Sequence, residues 1–152
     1  MSKIYDLGEG YKKLPGMLIA YEKDLSEVEE NIKIEGKRLE IANREQAVWQ
    51  SYYDERRVEL NILVKFFENE IARKRGKHWV RYSENYSFEL GPRDKDQYIN
   101  NEDNVIEANT LLLEVLEVHK KYEAVVDAYR SRGFALRNIT NIRVAAMEDV
   151  II

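Results

Sequence analysis

Two long stretches almost without helix breakers constrain this chain more than anything else in it. From Met17 to Arg75 only Gly36 interrupts, and from Arg93 to Ile152 only Gly133. Strands run to about five or six residues, so stretches of this length without glycine or proline predict long helices. An alternation of three and four residues starting at Leu25 visits fourteen positions through Glu70. Ten are apolar: Leu25, Val28, Ile32, Leu39, Ala42, Trp49, Tyr53, Leu60, Leu63 and Phe67. The exceptions are Glu35, Gln46, Arg56 and Glu70. The same count from Val105 meets Ala108, Leu112, Val115, Tyr122, Val126, Tyr129 and Leu136, broken only by His119 and Gly133. Heptad-like spacing in both segments predicts an all-α fold of two long amphipathic helical segments, a hairpin or bundle whose seams face each other or a second copy. Leu111, Leu113, Leu116 and Val125 widen the second apolar face, which predicts self-association.

Punctuation divides the chain into four parts. Residues 1–24 form an N-terminal extension, and residues 25–76 a long helix with a Ser26–Glu29 capping box at its start. That helix is expected to stop at Arg73-Lys74-Arg75-Gly76, cations in the last turn followed by glycine. Residues 77–101 read as an irregular, partly extended loop, because His78, Val80 and Tyr82 alternate with Lys77, Trp79 and Arg81, and Tyr86 to Leu90 alternate again. The acidic pair Glu102-Asp103 then reads as the start of a C-terminal helical segment, 102–152.

Much chemistry is excluded. Without cysteine there is no disulfide, thiolate metal site or cysteine nucleophile. The seven glycines build neither a Walker loop nor GxGxxG, so nucleotide hydrolysis is not expected. Asp94-Lys95-Asp96 begins like a calcium loop but lacks its glycine and terminal glutamate. His78 and His119 stand far apart, and His119, on the apolar stripe, is expected as a hydrogen-bonded core or interface residue. No catalytic residue, metal site or cofactor is expected, and the chain is read as no enzyme. The apolar run Met17 to Tyr21 is too short for a signal-peptide core or a membrane span, so a soluble intracellular protein without membrane association is expected.

The charge is unevenly placed. Net charge is -4, yet Arg73, Lys74, Arg75, Lys77 and Arg81 share a window with no acid, as do Arg130, Arg132, Arg137 and Arg143. These windows hold nine of the 24 basic residues, leaving 15 against 28 acidic ones elsewhere. Two cationic patches therefore lie in an anionic body. In the first, cations interleave with Trp79 and Tyr82, and Tyr86 and Phe88 follow. Cations neutralise phosphates by displacing counterions and aromatic faces stack on unpaired bases, so Arg73, Lys74, Arg75, Lys77, Trp79, Arg81 and Tyr82 form a candidate single-stranded DNA site. Equally open at this level, Trp79, Tyr82 and Phe88 form a small core that tethers the loop.

The closing segment Ser131-Arg132-Gly133-Phe134-Ala135-Leu136-Arg137-Asn138-Ile139 through Arg143 resembles that of the UvsY family, recombination mediators of T-even-type phages and their relatives. The likeness runs from about Trp49 to Glu148, through the basic helix end at Arg73-Lys74-Arg75 and the acidic helix start Asn101-Glu102-Asp103-Asn104-Val105. It implies a non-enzymatic hexameric or heptameric ring in the cytoplasm of an infected host cell. Such a ring would bind single-stranded DNA, a recombinase and a single-strand-binding protein. Matching DNA contacts would be Arg73 and Arg75, or Lys74 in a register shifted by one, and the C-terminal helix would support oligomerisation. Tyr122, Val126, Tyr129, Phe134 and Leu136 are the expected oligomerisation residues. A structural coiled-coil or assembly-chaperone protein, whose cations only cap helices and grip acidic partners, is the rival reading.

Overall fold

The computed structural model describes residues 6–85 and 89–145, all of whose regular elements are helical. α1 spans Leu14–Leu25, α2 Val28–Asn31, α3 Leu39–Glu84, α4 Pro92–Asn100 and α5 Asp103–Val144. At about 1.5 Å per residue, the 46 residues of α3 and the 42 of α5 are rods of roughly 60–70 Å. They pack side by side as an antiparallel hairpin. Among the described residues no helix is long and apolar enough to cross a membrane.

The seam is the predicted one. Ala42, Tyr53, Leu60, Leu63 and Phe67 of α3 are buried with Val105, Ala108, Val115, Tyr122, Val126, Tyr129 and Leu136 of α5. Tyr53 anchors it, its ring stacked 5.5 Å from Tyr129 and 6.0 Å from Trp49. Three of the four polar exceptions have found polar work. Gln46 bonds the α5 backbone, Arg56 pairs with Glu59 at 2.9 Å, and Glu70 accepts the Tyr11 hydroxyl at 2.5 Å. His119 is buried as expected, but its Nε2 has no hydrogen-bond partner among the described residues.

Several expectations are corrected. The long helix does not begin at Leu25. The chain breaks after α2 and turns through Gly36 at φ +76°, a left-handed conformation that only glycine takes cheaply. Ser26 forms no capping box, since its hydroxyl donates to the Lys23 carbonyl at 2.6 Å. Nor does the helix stop at Gly76. It runs on to Glu84, and the residues expected as an extended piece are its last two turns. One helical glycine costs only about 1 kcal/mol, less than the contacts that Arg75, His78 and Tyr82 make on one face at i, i+3 and i+7. The connection to α5 is helical over α4, whose Pro92 sits in the first turn. Tyr86, Ser87 and Phe88 lie outside the described residues.

Most of the surplus apolar surface of α5 also finds cover within the chain, although Leu113 stays 66% exposed. Leu111, Leu116 and Val125 pack against the core cluster that Leu14 and Leu18 of α1 enter, and the Tyr122 hydroxyl donates to the Tyr21 carbonyl at 2.7 Å. Tyr122, Val126, Tyr129 and Leu136 are thus buried inside one chain and present no oligomerisation stripe. Phe134 alone of the expected set is exposed.

The Tyr11–Glu70 contact ties the N-terminal segment to α3 and gives a pH test. Burial first, then the Glu70 hydrogen bond, pushes the phenol from 10.0 up to about 12. That hydrogen bond, followed by Arg73, holds Glu70 below its ordinary 4.5. A raised phenol contributes stability below pH 10 that is lost as pH climbs toward 12. A depressed carboxylate contributes stability above its ordinary value that is lost as pH falls below it. Tyr11→Phe is expected to cost about 1 kcal/mol near pH 7 and progressively less at pH 3 and pH 11, read by urea unfolding. A deficit constant across pH would count against the pair.

Candidate nucleic-acid interface

Helical spacing sorts the first cationic window onto different flanks of α3. Arg73, Lys77 and Arg81 stand four residues apart on one flank, about 6 Å of axial rise between neighbours. Arg73 pairs with Glu70 at 2.7 Å, and Arg81 pairs with Glu102 and lies over the Tyr82 ring. Lys77 is exposed and makes no ion pair among the described residues. Arg75 and Trp79 occupy the opposite flank, facing α4. Arg75 donates to Asn100 Oδ1 at 2.6 Å and pairs with Asp96 at 3.1 Å. Trp79 is 37% exposed, and Lys95 of α4 stands over its ring at 4.9 Å and donates to Ser83.

Two predicted members go elsewhere. Lys74 is half-buried over the Tyr11 ring at 5.7 Å, turned toward the N-terminal segment. Tyr82 is 8% exposed in a satellite core with Leu90, Ile99 and Val105, stacked 5.6 Å from Tyr98. Its hydroxyl donates to Glu102 at 2.5 Å. This ring holds the α3–α4 corner together and offers no face to a base, as in the small-core reading.

Glu102 is the electrostatic hub of this corner. It precedes α5 as expected of a helix start, and it gathers Tyr82, Arg81 and, at 3.7 Å, His78. The Tyr82 hydroxyl first, then the Arg81 and His78 charges, hold its carboxyl below the usual range. With Asp96 it sets two carboxylates against the basic helix end, an acidic cover that the sequence window alone does not reveal. Lys95 is a neighbour of the candidate site that sequence reasoning missed, because only the folding of α4 onto α3 brings it to Trp79.

The second cationic window is divided as well. Arg132 is 4% exposed, its Nε donating to the Ile32 carbonyl at 2.8 Å and its Nη1 to the Ala42 carbonyl at 3.2 Å and Gln46 Oε1 at 2.9 Å. It is a structural bolt between the start of α3 and the end of α5. Arg130, Arg137 and Arg143 are exposed. Among the described residues no group of acids and histidines is placed to hold a metal ion. Comparison with family models, with curated proteins and with solved structures returns no match for this chain.

Proposed function

We propose that this protein binds single-stranded DNA at the basic end of α3 and serves as a recombination mediator. It would act as a homo-oligomer in the cytoplasm of an infected cell, handing the strand from a single-strand-binding protein to a recombinase. The observation that carries the DNA reading is the line of Arg73, Lys77 and Arg81 on one helix flank, backed on the other by a half-exposed Trp79 under Lys95. Phosphates would replace Glu70 and Glu102 as partners of that line, and one base would stack on Trp79. Because acids already occupy the site, each protomer would bind weakly and strongly salt-dependently. Repetition in an oligomer would restore affinity through avidity of about 100-fold or more. A site that releases its strand easily suits a protein that exchanges one coat for another.

The mediator reading is supported by the resemblance of the segment around Ser131 to Arg143. Assembly would rest on surface that the chain leaves uncovered, above all Ile41, Val48 and Ile62, at seven-residue multiples along α3. The rival, a structural or assembly-chaperone coiled coil, is favoured by one observation: Asp96 and Glu102 already partner Arg75 and Arg81.

Anisotropy of a labelled thymidine oligonucleotide, titrated at several salt concentrations, separates the two. Binding that weakens linearly with log salt is expected, and Asp96→Asn with Glu102→Gln should tighten it about fivefold by uncovering the cations. No binding at low salt, in the wild type or the uncovered variant, would leave the structural reading standing.

A further inference from the structure

Toward the far end of the hairpin, about 45 Å along α3 from Lys77, residues of α3 and α5 line a groove of about 610 Å³. It opens where both seams are interrupted. Gln46 meets Gly133 there, so closely that a Cβ on Gly133 would stand 3.0 Å from Gln46 Nε2. Gln46 forms the floor, fixed by donating to the Tyr129 carbonyl at 2.5 Å and accepting from Arg132 at 2.9 Å. Gln50 of α3 and Arg130, Phe134, Arg137 and Asn141 of α5 supply the walls. None of the lining residues is a carboxylate, in a chain where acids outnumber bases. Asp127, outside the lining, pairs with Arg130 at 2.8 Å, an exposed contact worth little in water. The Arg137 guanidinium lies 5.6 Å over the Phe134 ring, which is 61% exposed.

We propose that this groove is a second binding site for single-stranded nucleic acid, with Arg130 and Arg137 on phosphates, a base stacked on Phe134, and Gln50 and Asn141 facing base edges. The chemistry selects this ligand over an acidic peptide. Cations alone would serve carboxylates, whereas a guanidinium-backed aromatic face beside neutral amides fits a base with its phosphate. The volume falls within the range of about 300–1,000 Å³ common for ligand sites. The groove faces a different side of the hairpin from the Ile41–Val48–Ile62 stripe, so assembly through that stripe leaves it open. The proposal extends the single-strand reading to a second contact, and it stands or falls separately from the basic end of α3.

Tryptophan reporters test it. One protein, Trp49→Phe, keeps only Trp79. The other, Trp49→Phe with Trp79→Phe and Phe134→Trp, places the sole indole in the groove. A thymidine octanucleotide is expected to quench both. Quenching only in the groove would support this proposal while removing the α3 site, quenching only at Trp79 would overturn the groove, and silence in both would overturn both. Quenching of the groove indole by polyglutamate but not by the oligonucleotide would assign an acidic protein partner instead. A concentration-dependent shift of the groove indole without ligand would make the groove an interface between copies. Both of these results overturn the proposal. Should the Trp49 substitution unfold the chain, anisotropy with Arg130→Ala and Arg137→Ala in otherwise wild-type protein decides. The slope of log affinity against log salt should fall by about 1.4 on an oligonucleotide long enough to reach both sites. An unchanged slope would overturn the proposal.

Discussion

Replacing Arg73, Lys77 and Arg81 together by alanine is expected to weaken single-stranded DNA binding roughly 50-fold at about 0.15 M salt. Each phosphate contact on a single strand carries about 0.7 in the slope of log affinity against log salt, which at that salt is worth about fourfold in affinity. Three such contacts multiply to the stated loss, and the slope should flatten by about 2. Glu70 and Glu102 would lose their cationic partners, which adds repulsion to the missing attraction. Helicity should be preserved, because all three side chains stand on the exposed flank of α3. The control is Lys74→Ala, half-buried against Tyr11, which should change the slope little. Unaltered affinity in the triple variant would remove this helix end as the site.

Arg132→Ala is expected to be the most damaging single substitution. It withdraws the donor from the Ile32 and Ala42 carbonyls and from Gln46 Oε1, and a buried acceptor left without a partner costs about 1–3 kcal/mol. Part of that is returned. The guanidinium no longer has to be buried, and its Nη2, without a hydrogen-bond partner among the described residues, has only a long ion pair with Glu45 at 3.8 Å to offset that burial. A net loss of roughly 3 kcal/mol lowers the melting temperature by about 10 °C in a chain of this size. Arg132→Met, which keeps the bulk, should recover less than half if the hydrogen bonds dominate, as read by circular dichroism. A melting temperature within about 2 °C of wild type in Arg132→Ala would mean that the joint is held by packing alone.

The hairpin was legible in the sequence because its seam is a period, and a period survives without knowledge of any contact. Positions from Ala42 to Phe67 and from Val105 to Leu136 could be counted off directly. What defeated the reading were features settled by residues distant in sequence. Arg73-Lys74-Arg75-Gly76 has the composition of a helix stop, but whether the helix stops depends on Asp96, Ile99 and Glu102, which reward two more turns. Arg132 sits in a window of four arginines that reads as surface. Its burial needs the carbonyl of Ile32, which a turn at Gly36 brings within reach. The cationic residues of the candidate site were found as a set, yet their division into an Arg73–Lys77–Arg81 flank and an Arg75–Trp79 flank follows only once the segment is known to be helical. Tyr82 illustrates the limit best, since an aromatic beside arginines has the same appearance whether it meets a base or Ile99.

The antiparallel run of α3 against α5 also fixes where charge can act. The first basic window closes α3 and the second lies toward the close of α5, so the pairing sends them to opposite tips of a rod, with an acidic waist between. Viewed from afar, such a rod shows its net charge of -4 rather than its cations. Its field dies away quickly, and a polyanion feels mostly weak repulsion until it comes within about a Debye length, some 8 Å at physiological salt. Inside that range the waist pushes and the Arg130–Arg143 tip pulls, while at the other tip Asp96 and Glu102 already offset the cations, so encounters favour one end of the rod. Raising salt then shortens the reach of both signs together, and the rate of encounter changes less steeply than the strength of the contacts that follow.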